Sequence, residues 1–283
     1  MKKIILFLIF GAFLFSSNVV VGDDMPETPL FYRINIDKEI GATTWRYMQK
    51  GYDEARKAGA AAIILRLNTY GGTVVHADSI RTLILNSSMP VYAFIDNNAA
   101  SAGALIAISC DSIYMREGAN IGAATVVNQT GKAMPDKYQS YMRATIRSTA
   151  EAQGYDTVYT VSGDTEVHWR RNPQIAEAMV DERIVVPGLC DSTKVLTLTA
   201  REALQWGYCE AIAESVDDII TSRLGYWQYK VEQFEPSFYD DLVGFLQNPV
   251  VQGILIMLII GGIYFEIQTP GVGFPLAVSV IAA

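Results

Sequence analysis

Histidine is nearly missing from this sequence, with only His76 and His168 among 283 residues. Cysteine is almost as scarce: Cys110, Cys190 and Cys209 are scattered and odd in number. Without a close thiol pair or a histidine beside two thiols, the chain offers no zinc cluster and no disulfide framework. The thiols read as core filling, with Cys190 and Cys209 the one weak pairing candidate. Basic charge is also in deficit, 22 Lys and Arg against 30 Asp and Glu, a net charge of -8. No basic stripe is available to neutralise phosphates, so DNA and RNA are set aside as partners. Internal repeats and low-complexity tracts are absent, and nothing calls for a metal or a cofactor.

Apolar residues, in contrast, make up half the chain, enough for a sizeable core. They concentrate at both ends. Met-Lys-Lys, "IILFLIFGAFLF" and then "SSNVVVGDD", with Val20 and Gly22 placed as a small-x-small site, read as a signal peptide over residues 1–22. The competing reading is an uncleaved anchor. Residues 250–265, "VVQGILIMLIIGGIYF", carry no charge and read as a transmembrane helix at the short end of the spanning range, which the preceding "LVGFLQ" would lengthen. "GFPLAVSVIAA" resembles a second span cut in mid-helix. The connection holds no Lys or Arg to orient the helices. Only the export signal does so, placing residues 23–245 outside the cytoplasm. The expected organisation is a leader (1–22), an exported domain (23–235) and a membrane-spanning region (236–283).

Within the exported domain, short β-rich runs alternate with helical patterns, the mark of an α/β fold with helical crossovers. "LFYRINID", "AAIILRL", "PVYAFID" and "SIYMRE" read as strands. "TTWRYMQKGYDEARKAG", "TVVHADSIRTLILNS" and the run opened by Ser101 read as helices, and "NNAA" before Ser101 as a loop. A long helix is expected over residues 135–152 and another at "NPQIAEAMVD". "ERIVVPGLCDSTKVLTL" reads as a hairpin. Thr199 and Glu202 form a capping box for "AREALQWG", and "YCEAIAES" reads as the closing strand.

Two loops follow parallel strands at their carboxyl ends, where sites of α/β sheets lie, so Gly71-Gly72 and Ser101 are expected to be neighbours. Ser101 stands alone among Ala99, Ala100, Ala102 and Gly103. Glycines let backbone N–H groups face a cleft without a Cβ in the way, and the Ala102 amide follows Ser101 at a helix start. A nucleophilic hydroxyl with two oxyanion donors fits this pattern. The competing reading makes Ser101 a helix cap and the alanines a packing surface. Asn68 is expected to shape the glycine turn.

"LNTYGGTVVHADSIRTLI", "ASAGALIAISCDSIYMREGANIGAA", "SYMRATIRSTAEAQG", "LTLTAREALQWGYCEAIAE" and "GIYFEIQTPGVGFP" together resemble the membrane-bound serine peptidases of the nodulation efficiency protein D type, relatives of Clp protease and signal peptide peptidase A. The likeness runs from about Pro29 to Ala283. It implies a ClpP/crotonase-like fold of stacked β-β-α units followed by transmembrane helices. Ser101 is then the nucleophile of a serine endopeptidase, and the amides of Gly72 and Ala102 form its oxyanion hole. It also implies a hydrophobic peptide substrate, in some members a stomatin-like membrane partner, a homo-oligomer, and a C-terminal β-barrel domain after the spans.

The family's Ser-Lys dyad places its lysine at Arg147. Deprotonating an arginine at pH 7 costs about 7.5 kcal/mol, against about 4.6 kcal/mol for a lysine before burial. An arginine serves better to stabilise an anion or to fork onto a carboxylate. Lys132 and Lys137 flank the start of the same helix, but Lys137 lies ten residues, about 15 Å of helix, from Arg147. A Ser-His-Asp triad would need His76 or His168 with a carboxylate such as Asp181. Three functions follow: a membrane-anchored serine endopeptidase, a catalytically impaired scaffold binding a membrane partner, and a crotonase-like acyl-CoA enzyme, which the export signal opposes.

Overall fold

The computed structural model describes residues 28–159, 165–269 and 273–283, and the leader expected over residues 1–22 lies outside them. Strand β1 is Leu30–Ile36, followed by helix α1, Ala42–Lys57, which stops at Gly59 in the left-handed region, φ 68°. Next come β2 (Ala62–Thr69), α2 (Val74–Leu85), β3 (Val91–Ala100), α3 (Ala102–Ser109), β4 (Ser112–Met115) and β5 (Asn120–Gly122). Helix α4 is Asp136–Ala152, and a two-stranded hairpin, β6 (Tyr155–Tyr159) with β7 (Thr165–Trp169), precedes α5, Pro173–Ala178. The chain continues through β8 (Thr197–Thr199), α6 (Ala200–Gln205), β9 (Ala211–Ile212) and a short α7 (Val216–Asp218) that passes into a π-helical turn. It ends in β10 (Lys230–Gln233), α8 (Phe238–Leu246), α9 (Pro249–Gln268) and α10 (Phe274–Ala282).

Six parallel strands form the main sheet in the order β10-β1-β2-β3-β4-β9. Parallel strands joined by helices are covered on both faces, which is why β2 is almost uninterruptedly apolar. Ile63, Leu65 and Leu67 enter the larger core under the helices; Ala62 and Ile64 enter a smaller one with Phe31, Phe94 and Ile220. The α/β expectation is met.

Strand β3 is longer than its sequence suggests. Tyr92–Ile95 pair with β4, whereas Asn98–Ala100, read as a loop, pair with β5, which in turn pairs antiparallel with β8. A register shift between Leu67 and Thr69 turns the β2–β3 ladder toward this second layer. Ser101 therefore follows directly on a hydrogen-bonded strand.

Three other expectations are corrected. The hairpin at residues 182–198 is irregular chain around one bridge, Val186 with Cys190, because Pro187 and Gly188 break the ladder at once. The Cys190–Cys209 pairing is not formed: all three thiols are free and buried, Cys190 against the Ile184 carbonyl and Cys209 against that of Ala200. The sheet does not close at β9, since β10 returns to the opposite edge beside β1. The capping box is present as read, with Thr199 and Glu202 each bonding the other's backbone N–H.

At the C-terminal end, α9 is long and apolar enough to cross a membrane, with 20 residues and a mean hydropathy of 2.1. At 1.5 Å per residue it reaches about 30 Å, the thickness of a bilayer's hydrocarbon core. "LVGFLQ" does not lengthen it. Asn248 caps α9 through its side chain, 2.9 Å from the Val250 amide, and Pro249 opens the helix, so α8 is separate. Helix α10 packs on α9 where Gly262 leaves room for Ser279, whose hydroxyl donates to the Ile259 carbonyl at 3.2 Å.

Candidate active site

Ser101 sits at the junction of β3 and α3 with φ 55° and ψ -118°, a conformation uncommon for a residue with a side chain. Main-chain bonds on both sides hold it there. Its amide donates to the Gly122 carbonyl at 2.8 Å, and its carbonyl accepts from Ala104 at 3.0 Å. The side chain makes no capping bond to α3, so the helix-cap reading is set aside. The packing reading holds alongside the functional one. Helix α3 is buried along its whole length, and Gly103 passes so close to β2 that a Cβ would lie 2.8 Å from Thr69 Cγ2.

The glycine pair meets Ser101, as expected. A Cβ on Gly71 would lie 2.7 Å from Ser101 Cβ and 3.1 Å from its Oγ. Gly72 presses on the other side against Ile40, whose amide donates to the Gly71 carbonyl and whose carbonyl accepts from the Thr73 amide, both at 2.8 Å. The turn is shaped by Thr69 rather than Asn68. The buried Thr69 hydroxyl accepts from the Gly71 amide at 3.1 Å and donates to the Lys38 carbonyl at 2.8 Å. Its place at a strand end before two glycines was the available signal.

Among the described residues, neither the Gly72 nor the Ala102 amide has an acceptor, and the Ser101 hydroxyl has no partner. All three residues border one small cavity of about 50 Å³, walled by Val74, Ala77, Leu105, Val126 and Met142. A residue with a free hydroxyl, two residues with free N–H groups and the N-terminus of a buried helix thus border one recess with mostly aliphatic walls, an arrangement able to hold an oxyanion.

The proton acceptor is another matter. The cavity wall carries no lysine, histidine or carboxylate among the described residues. Arg147, on α4, donates to Glu177 of α5 at 2.7 Å and lies 3.9 Å from Glu151. Lys137, in the first turn of α4, lies over the Tyr138 ring, 5.0 Å from its centre, and Lys132 is exposed. His76 borders a different and larger cavity, with Nδ1 2.6 Å from the Thr73 hydroxyl. His168 is on the exposed β7 beside Glu166. Asp181 is buried between Arg143 and Arg183. Donation from the Arg183 guanidinium, against the opposing effect of burial, lowers its carboxyl to about 2. No triad assembles from these residues.

Fold and site together define an α/β protein with a strained serine at a strand–helix junction and a candidate membrane helix after it. Residues 30–170 match the NfeD1b N-terminal domain family. Over 273 residues, 96% of its length, the chain is 32% identical to membrane protein NfeD1b of Bacillus subtilis (strain 168). It is 27% identical over 275 residues, 89% of its length, to membrane-bound protease PH1510 of Pyrococcus horikoshii. The chain spans 59% and 56% of the lengths of these two relatives. Among solved structures, 1510-N membrane-bound stomatin-specific protease, as a lysine-to-alanine mutant in complex with a substrate peptide, superposes with TM-score 0.62 at 26% identity, covering 78% of this chain and 98% of that one. Its serine-to-alanine mutant superposes with TM-score 0.60 at 26% identity, covering 74% and 99%. Residues 30–170 are therefore an NfeD1b-type N-terminal domain, and the resemblance to the nodulation efficiency protein D type is borne out.

Proposed function

We propose that this chain is the peptidase-bearing part of a membrane-anchored serine endopeptidase that cuts apolar peptide segments of membrane-associated proteins outside the cytoplasm. The observation that carries this reading is the unpartnered Ser101 hydroxyl, held in a strained elbow beside two unpartnered amides. Ser101 Oγ attacks the scissile carbonyl, its proton passing through water to the departing amine, while the amides of Gly72 and Ala102 receive the oxyanion. The amine leaves with a proton, and water then releases the acyl group from Ser101. The narrow apolar recess favours a small apolar side chain next to the cut. A stomatin-like protein is the proposed partner, by likeness to the relative named as stomatin-specific. Self-assembly is proposed with it.

Ser101→Ala should abolish both cleavage of an apolar peptide and labelling by a serine-reactive fluorophosphonate. Cleavage undiminished in that variant would end the assignment.

One observation favours the second reading, a scaffold that binds its partner without cutting. Arg147, at the family's dyad position, is engaged by Glu177, and nothing basic lines the recess among the described residues. Arg147→Lys separates the two. Activity that appears in the variant and is missing from the parent supports the scaffold, whereas an active parent that the lysine leaves unimproved supports the peptidase.

A further inference from the structure

Helix α8 has two unlike faces, and among the described residues only one is covered by protein. Asp240, 2% exposed, is bonded by Lys50 and, at 3.0 Å, by Arg46 Nε, both on α1. Asp241 accepts from the Tyr47 hydroxyl at 2.9 Å. Gly244 completes the contact: a Cβ there would lie 3.0 Å from Thr43 Cγ2. These contacts fix the rotation of α8, whose start is set by a capping box between Ser237 and Asp240. The opposite face carries Phe238, Leu242, Phe245 and Leu246, at i, i+4, i+7 and i+8, with Tyr239 on its flank. Phe238 and Tyr239 are each 75% exposed and Phe245 60%. Five large apolar side chains thus stand exposed on a single helix, with Phe245 at the edge of the cavity between α8 and α1.

Covalent continuity indicates what covers them. Leu246 is three residues before Pro249, the first residue of the candidate span, and three residues reach about 10 Å at full extension. If α9 crosses a bilayer, the end of α8 stays within about 10 Å of the hydrocarbon boundary, in or just outside the headgroup region. An apolar face held there meets lipid before it meets anything else.

We propose that α8 lies in the bilayer interface with Phe238, Leu242, Phe245 and Leu246 in lipid, and that its clamp onto α1 fixes the height of the Ser101 site above the membrane. The second part follows from connectivity. Helix α1 begins just after Ile40, and the Ile40 main chain carries both bonds that hold Gly71 and Thr73.

The test uses the full chain in phosphatidylcholine–phosphatidylglycerol vesicles. Leu242→Cys and Phe245→Cys are labelled with an environment-sensitive fluorophore. The native thiols are buried, so the new one reacts selectively. Thr193→Cys, on an exposed loop, serves as the aqueous control. Emission at 242 and 245 should shift to the blue and be quenched more by nitroxides at the headgroup than by nitroxides deep in the acyl chains, with neither effect at 193. Water-like emission at 242 and 245 would overturn the proposal. So would a blue shift that neither set of nitroxides quenches, because a second copy or another protein would then be the cover.

Discussion

Replacing Gly72 with alanine adds one methyl group where no atom fits. The new Cβ would stand 2.2 Å from the Ile40 carbonyl oxygen and 2.6 Å from its nitrogen. Ordinary carbon–oxygen contact is well over 3 Å, and both neighbours are backbone, so the strands must part by about 1 Å. That displacement strains two bonds, Ile40 to Gly71 and Thr73 to Ile40, each 2.8 Å long and each contributing about 1 kcal/mol. Gly72 also sits at φ 157°, inside the range that favours glycine, which adds about 1 kcal/mol of strain. The sum is about 3 kcal/mol, or a melting temperature lower by about 10 °C for a domain of this size. Gly118, at φ 86° with open space around it, controls for backbone strain alone. Gly118→Ala should cost only about 1 kcal/mol and leave the site intact. Circular dichroism melts of the purified chain measure both, and fluorophosphonate labelling of Ser101 reports the amide. Labelling should fall in Gly72→Ala and not in Gly118→Ala. Equal melting temperatures with unchanged labelling would show that Gly72 is not wedged against Ile40, and the oxyanion-hole assignment would go with it.

Arg171 is wholly buried, donating to Glu210 and to the Cys110 carbonyl, both at 3.2 Å. Arg171→Met should cost about 3 kcal/mol, near the lower end for a broken buried pair because Glu210 still reaches water; an unchanged thermal melt would refute this. Asp240 is held below the usual carboxylate range, first by the bond from Lys50 and then by that from Ser237. A lowered folded value means that its stabilisation is complete above the unfolded value of about 3.9 and is lost only as pH falls through the folded one. A probe at Gln247→Cys should therefore keep its anisotropy down to roughly pH 4 and lose it below, whereas Asp240→Asn should loosen α8 at neutral pH. Loosening of the parent already at pH 5 to 6 would contradict that order.

Much of the scaffold was legible because it is local. The branched aliphatic run Ile63–Leu65 announces a strand buried on both faces, Thr199 and Glu202 a helix start, and Gly59 a helix end. The small residues around Ser101 announced a close approach of backbone, and Gly71 supplies it. Other features depend on partners that lie far off in the chain. Residues 97–100 read as a loop because their strand partner, β5, comes later, and "VEQF" has no strand signal until β1, about 200 residues earlier, offers its edge. Alternation points to Asn68 and not to Thr69 because it carries no sign of which side chain turns inward past a register shift. Sequence alone determined the alternation of strands and helices, the lone serine among small residues, and an apolar segment of spanning length, since each is written in residues a few positions apart. Only the tertiary structure decided that Arg147 is engaged by Glu177, that the Ser101 recess holds no basic side chain among the described residues, and that α8 turns its polar face to α1. Those are meetings of residues from separate elements, and local periodicity carries no record of which elements meet.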